Sequence, residues 1–476
     1  MEIIKIFSLL IFTSLAASYA WAMRGTKIGG EKGAMLPGAV LGLIFAWFSG
    51  YDLIRENFFV FSAVGALAMS YGGSQTYGET LSFVVSQKPP ENYKKGIIAL
   101  IVKGSLWFGI FGAYMGMAFN AACGQKYNRL DFIVLFAILV PLRGLGVYIL
   151  NRPVKPRENI FPKIYFSKTR NESWGGLLFV LLALTALMAA KGDTYSLGFT
   201  LAGAVSGAVG WVIGINLFYL ANHPLNNGKF FYGKLQEKGY VGGWKIMEFT
   251  LGAVGGLGTA LYFFLNKQGF SKMTSNISGG KLFPGFKANA LSFLPWIALF
   301  LIFLPASQHL LQSGQNSKIK SKSKADVLGE IMEWLEEPIY SVIILSFIML
   351  GNLKTAKLVS FFLILWLAVE KDLFERFIKT KQKWLWSIVF WGSLTAALLG
   401  EIFLPNSYPA LYTWILYIFV YEFFELIWID YEARQAKENK GKSFFKRWRR
   451  TSEPTVHIYF FIQIVILLAV GILMFR

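Results

Sequence analysis

One cysteine, Cys123, and three histidines are all that this 476-residue chain offers to redox or soft-metal chemistry. A lone cysteine excludes an internal disulfide and a Cys-x-x-Cys redox pair. His223, His309 and His457 lie in separate regions with no second ligand at metal spacing, which excludes a zinc hydrolase of the His-Glu-x-x-His type, and no metal site is expected. Neither a nucleotide-binding Gly-x-x-x-x-Gly-Lys-Ser/Thr loop nor a Gly-x-Ser-x-Gly elbow occurs, so no nucleotide-driven pump and no serine hydrolase of that kind is expected, and no cofactor. His223, closing the seventh apolar run, reads as a helix cap or interfacial residue, with a general base as the alternative.

Charge is scarce as well. Charged residues make up 16% of the chain, where soluble proteins carry roughly a quarter. Instead 55% of the residues are hydrophobic and 17% aromatic, with a mean hydropathy of +0.48. About fourteen apolar runs recur from 3–23, 35–50 and 57–72 through to 456–475, and roughly 20 residues suffice to cross a bilayer core as a helix. The expected fold is an all-α, polytopic integral membrane protein with about 12–14 transmembrane helices.

The net charge of +20 would point to nucleic acid on a soluble protein, but here the lysines and arginines fall between the apolar runs. That is a topology signal, and no nucleic-acid partner is expected. Most basic residues lie in the odd-numbered loops, which places those loops in the cytoplasm of a plasma (inner) membrane and both termini outside. The first run, with Lys5 before an apolar core and "AWA" at 20–22, also resembles a signal peptide; the charge bias favours an uncleaved helix.

Glycine divides the chain. Of 47 glycines, 40 precede residue 291, whereas nine of 15 tryptophans follow it. Residues 1–290 read as a Gly-rich transmembrane bundle that carries the site, and 291–476 as a bulkier, aromatic-rich helical module with basic loops. Gly203, Gly207, Gly210 and Gly214 share one helical face, as do Gly109, Gly112 and Gly116; Gly38/Gly42 and Gly252/Gly256 form isolated pairs. Such spacing lets helix backbones approach closely in lipid. The basic run 446–450 ("KRWRR") reads as a solvated face, with anionic lipid contact as its alternative, and 327–337 as an amphipathic interfacial helix. "GGEKGAMLPGAVLGL" (29–43) and "GGWKIMEFTLGAVGGL" (242–257) form a faint repeat whose copies begin helices running in the same direction.

Three segments combine glycine with polar side chains beyond what a turn needs: "RGTKIGGEKG" (24–33), "YGGSQTYGET" (71–80) and "GYVGGWKIME" (239–248). Non-helical backbone at membrane depth is tolerated only inside protein or along a water-filled cavity. Arg24, Lys32 and Lys245 are the candidates to hold an anionic solute, while Gln75, Tyr77 and Glu79 suit a sugar-like one. The competing reading makes Trp21, Arg24 and Lys27 an interfacial anchor and leaves the glutamates to pair with lysines. Arg143, between Pro141 and Gly144, is expected to face the bundle, whereas Lys103 is expected to snorkel from a helix end. Arg143, Glu401 and the Glu422/Glu425 pair are candidates for gating or coupling.

These features together predict a secondary transporter of a small polar solute, with membrane lipid as its other partner. A membrane-embedded enzyme acting on a lipid or lipid-linked sugar is the alternative, with Glu79 or His223 as base. A scaffold subunit of a membrane complex is the third.

Overall fold

The computed structural model describes residues 2–24, 30–73, 77–85, 90–123, 125–151, 172–222 and 243–275, together with Gln75, Phe166 and Leu282. The second module, and with it Glu401, Glu422, Glu425 and the 446–450 run, lies outside the described residues, as does His223. Regular structure among the described residues is entirely helical. The elements are α1 (Glu2–Arg24), α2 (Gly30–Trp47), α3 (Asp52–Glu56), α4 (Phe58–Gly73), α5 (Gly78–Val85), α6 (Pro90–Ala122), α7 (Arg129–Leu150), α8 (Trp174–Ala190), α9 (Thr194–Asn222), α10 (Gly243–Leu265) and α11 (Lys267–Thr274). Each of the first eight apolar runs of the sequence becomes one of these helices.

Six of them close into a ring in the order α1, α2, α4, α6, α9, α10 and back to α1. The contacts between neighbours give their directions. Gly38 of α2 faces Gly65 of α4 while Gly42 faces Phe61, so this pair is antiparallel. Gly72 and Gly65 of α4 meet Trp107 and Phe111 of α6, Gly104 and Gly116 of α6 meet Gly207 and Ser196 of α9, and Gly210 and Gly214 of α9 meet Leu251 and Met247 of α10. Gly252 and Gly256 of α10 then meet Ala17 and Thr13 of α1. Every neighbour pair runs antiparallel, and α2 and α10, whose starts carry the faint repeat, run the same way on either side of α1.

The glycine stripe of α9 turns out to serve two partners. Gly203 and Gly207 pack on α6, whereas Gly210 and Gly214 pack on α10. The helix is wedged between two neighbours, and a stripe of small residues wraps far enough around it to meet both. Outside the ring, α7 and α8 form a hairpin joined at Gly146 and Gly175, and α8 lies on α6 and α9. A reciprocal capping box starts α7: the Asn128 side chain accepts from the Asp131 amide at 3.1 Å, and the Asp131 carboxylate accepts from the Asn128 amide at 2.8 Å.

Aromatic rings fill the interior. Phe45 of α2 touches Phe111, Phe199 and Phe263 from three other ring helices, with centroids 6.3, 5.6 and 5.1 Å away. Phe61 stacks on Phe119 beside them. The outside is apolar instead of polar: Leu201, Val205, Val209 and Ile213 form an exposed row on α9, and Leu257, Leu261 and Leu265 one on α10. Among the described residues, three helices, at Tyr93–Ala122, Thr194–Leu220 and Gly243–Leu265, are long and apolar enough to cross a membrane.

Candidate functional site

α4 and α5 are two parts of one interrupted column. Both lie along α6, α4 meeting it at Trp107 and Phe111 and α5 meeting it at Gly96 through Thr80, Phe83 and Val84. Gln75, between the two helices, faces Lys103 of α6. At 1.5 Å per residue that level is about 7 Å from the midpoint of Tyr93–Ala122, well inside the apolar span. Glycine makes the approach to the break possible: a Cβ on Gly72 would overlap the Trp107 indole, whose Nε1 donates to the Met69 carbonyl at 2.7 Å.

Two charge pairs flank the break. Lys103 Nζ donates to Thr80 Oγ1 at 3.0 Å and to Glu172 Oε1 at 3.3 Å, and both charged side chains are buried. Removing an ammonium from water is costly unless a counter-charge and hydrogen bonds replace its hydration, and here Thr80 of α5 and Glu172, two residues before α8, supply both. Lys103 therefore does not snorkel; Glu172 holds it inward. Lys245 Nζ, at the start of α10, donates to the Ala22 carbonyl at 2.7 Å and pairs with Glu248 at 3.0 Å. It ties the end of α1 to α10.

Aromatic residues complete this end of the ring. Tyr77 has Trp211, Trp107 and Trp244 around it, with centroids at 5.3, 6.1 and 6.5 Å. Trp21 meets Trp107 edge-on at 4.9 Å and stacks on Phe108. Trp21 is fully buried, which removes it from any interfacial anchor.

Two polar atoms in this cluster lack partners among the described residues. Gln75 is 3% exposed; its Nε2 donates to the Lys103 carbonyl at 3.3 Å, and its Oε1 accepts nothing. A carbonyl can only accept, so the amide nitrogen must face Lys103 and the oxygen is the atom left over. Trp211 is 1% exposed and its Nε1–H has no acceptor. A buried polar atom left unpaired costs about 1–3 kcal/mol, so two in one cluster call for a reason.

The opposite end of the ring is closed by a different device. Asp193, just before α9, is 1% exposed and accepts from Asn120 Nδ2 at 2.8 Å, Tyr127 Oη at 2.6 Å, the Ser196 amide at 2.9 Å and the Ser196 hydroxyl. Burial, and then the Asp193 carboxylate, push the Tyr127 phenol well above its ordinary range, so it stays a donor. This cluster staples the end of α6 to the start of α9. All its hydrogen-bonding capacity goes into that staple.

Of the residues singled out in the sequence, Gln75, Tyr77 and Lys245 meet at the end of the ring where α1 and α4 finish and α2 and α10 begin. Arg24, Lys32 and Glu79 belong to helices at the same end, and their side chains lie outside the described ones. Arg143 is buried, with its guanidinium 5.7 Å from the Tyr71 ring centroid, one turn of α4 away from Gln75. Sequence reasoning missed Thr80, Glu172, Trp107, Trp211 and Asp193. For Asp193 a signal was available, since an Asp just ahead of a long apolar run is a favoured helix N-cap. For Glu172 none was, because its partner is 69 residues away. Comparison with known proteins finds no matching family, no similar curated protein and no similar solved structure.

Proposed function

We propose that the chain is a multi-pass protein of the plasma (inner) membrane that transports a small polar solute, with the interrupted α4–α5 column as its binding element. The observation that carries the proposal is the break itself. α4 ends at Gly73 and α5 begins at Gly78, beside the middle of a helix long enough to span, and Gln75 and Tyr77 stand between them against Lys103, Trp107 and Trp211. Discontinuous helices near mid-depth are a recurring way for secondary transporters to offer free backbone and polar groups to a solute.

Three further features support this reading. The exposed rows of α9 and α10 suit acyl chains. Beyond the break, the Phe45–Phe111–Phe199–Phe263 packing fills the ring interior, so a solute at Gln75 would enter from one side and be stopped. Alternating access would then rearrange that packing. The parallel α2 and α10 fit a repeat-based architecture.

The test is uptake by proteoliposomes of radiolabelled sugars, sugar acids and phosphates, run beside Tyr77→Ala. Saturable uptake of one solute class, lost in the variant, is the expected result. A protein that takes up nothing, yet is stabilised against heat only by a lipid-linked sugar, would overturn transport in favour of a membrane enzyme. A solute present at a hundred times its dissociation constant should stabilise by about 2.7 kcal/mol, which is readily measured.

A further inference from the structure

We infer that the solute is neutral and is recognised through a hydroxyl group held between Gln75 Oε1 and Trp211 Nε1. The inference rests on the binding column proposed above and narrows its ligand to polyols and sugars, leaving out phosphates and carboxylates.

The first step concerns charge. The two lysines described in the site are each matched by a carboxylate, Lys103 by Glu172 at 3.3 Å and Lys245 by Glu248 at 3.0 Å. Lys245 also donates a hydrogen bond to the Ala22 carbonyl. An anionic ligand taken up by Lys103 or Lys245 would have to break that pair and strand a buried glutamate.

The second step concerns the unpaired atoms. Gln75 and Trp211 come from different elements but touch the same turn of α6. Gln75 Nε2 bonds to the Lys103 carbonyl, and the Trp211 Cδ1 edge, next to Nε1, lies where a Cβ on Gly104 would be. Gly104 keeps that place open for the indole. One of the two free atoms is an acceptor and the other a donor. A hydroxyl is the group that donates and accepts at once, whereas a carboxylate or phosphate oxygen could satisfy Trp211 but would repel Gln75 Oε1. The faces of Tyr77, Trp107 and Trp211 beside them suit the C–H faces of a sugar ring.

The experiment uses the full-length protein in detergent. Thermal stabilisation and equilibrium binding are measured with neutral sugars and polyols (glucose, sucrose, myo-inositol, glycerol) and with the matching sugar phosphates and sugar acids. Wild type is compared with Gln75→Leu, Trp211→Phe and Tyr77→Ala. The expected result is binding of a neutral compound only, weakened about tenfold or more by Gln75→Leu and by Trp211→Phe, because each removes one hydrogen bond. Deoxy analogues of the best compound, tested on the wild type, should lose affinity at one hydroxyl position, a readout that does not depend on how the variants fold. If an anionic compound binds better than its neutral parent, or if both variants bind normally while Tyr77→Ala does not, the hydroxyl assignment is wrong and the binding column stands. If variants lacking either atom are merely less heat-stable and every ligand response is unchanged, the pair holds a structural water and the inference fails. Silence of the whole panel, with no uptake, overturns inference and column together.

Discussion

Cys123 shows how far a single position can report on this fold. It follows the last residue of α6, is 3% exposed, and burial pushes its thiol from 9.0 up to about 12. The neutral form is the one the folded state prefers. Stability from this group is therefore complete below about pH 9 and declines as pH rises toward 12, where an unfolded chain would already be ionised. Because the chain has one cysteine, maleimide labelling reads this site alone. Labelling of the folded protein at pH 8 should be slow, should speed up continuously beyond pH 9, and should become fast at pH 8 in denaturant. Fast labelling of folded protein at pH 8 would contradict the burial of this helix end. The sequence reading of Cys123 as a small buried residue anticipates this; the same reading placed Lys103 at a surface, where the structure has it inside.

At the scale of elements, that difference has a physical cause. Apolar runs announce helices because length and hydropathy are local properties, and each of the first eight runs ends within a few residues of the helix it becomes. Ion pairs are non-local. Lys103 is held by Thr80 of α5 and by Glu172 before α8, and nothing in the α6 sequence reveals either. Glu172→Leu should remove the carboxylate 3.3 Å from the buried Lys103 ammonium and cost about 3–5 kcal/mol, whereas the double change Glu172→Leu with Lys103→Met should recover most of that loss. Thermal unfolding of the two single variants and the double completes the cycle. A double variant as unstable as the sum of its singles would mean that the two side chains do not act as a pair. The break between α4 and α5 is a case where the sequence did carry the signal, since glycines and polar residues crowd 71–80 without a turn to explain them.

At the largest scale the described residues reach, six helices form an alternating ring with one end polar and aromatic and the interior packed with phenylalanine. Phe45 is the residue on which that packing converges, touching α6, α9 and α10 at once. Phe45→Ala should cost about 3–5 kcal/mol, as expected for truncating a buried phenylalanine. Under the proposed transport function it should also raise passive leak of small polar solutes from liposomes, because the ring interior beyond Gln75 is no longer filled. Loss of stability with no change in leak would show that the packing is structural and that access is controlled elsewhere.

The sequence by itself determined the helices, their apolar length, the close-packing glycines and the three polar segments, because these follow from composition and spacing along the chain. Only the tertiary structure decided which faces those glycines meet, that Lys103 and Lys245 are each paired with a glutamate, and that Gln75 and Trp211 come to one turn of α6 with an acceptor and a donor unmatched among the described residues. Those depend on which distant segments become neighbours. A ring closes only when all six helices are in place, and no window of the sequence contains that condition.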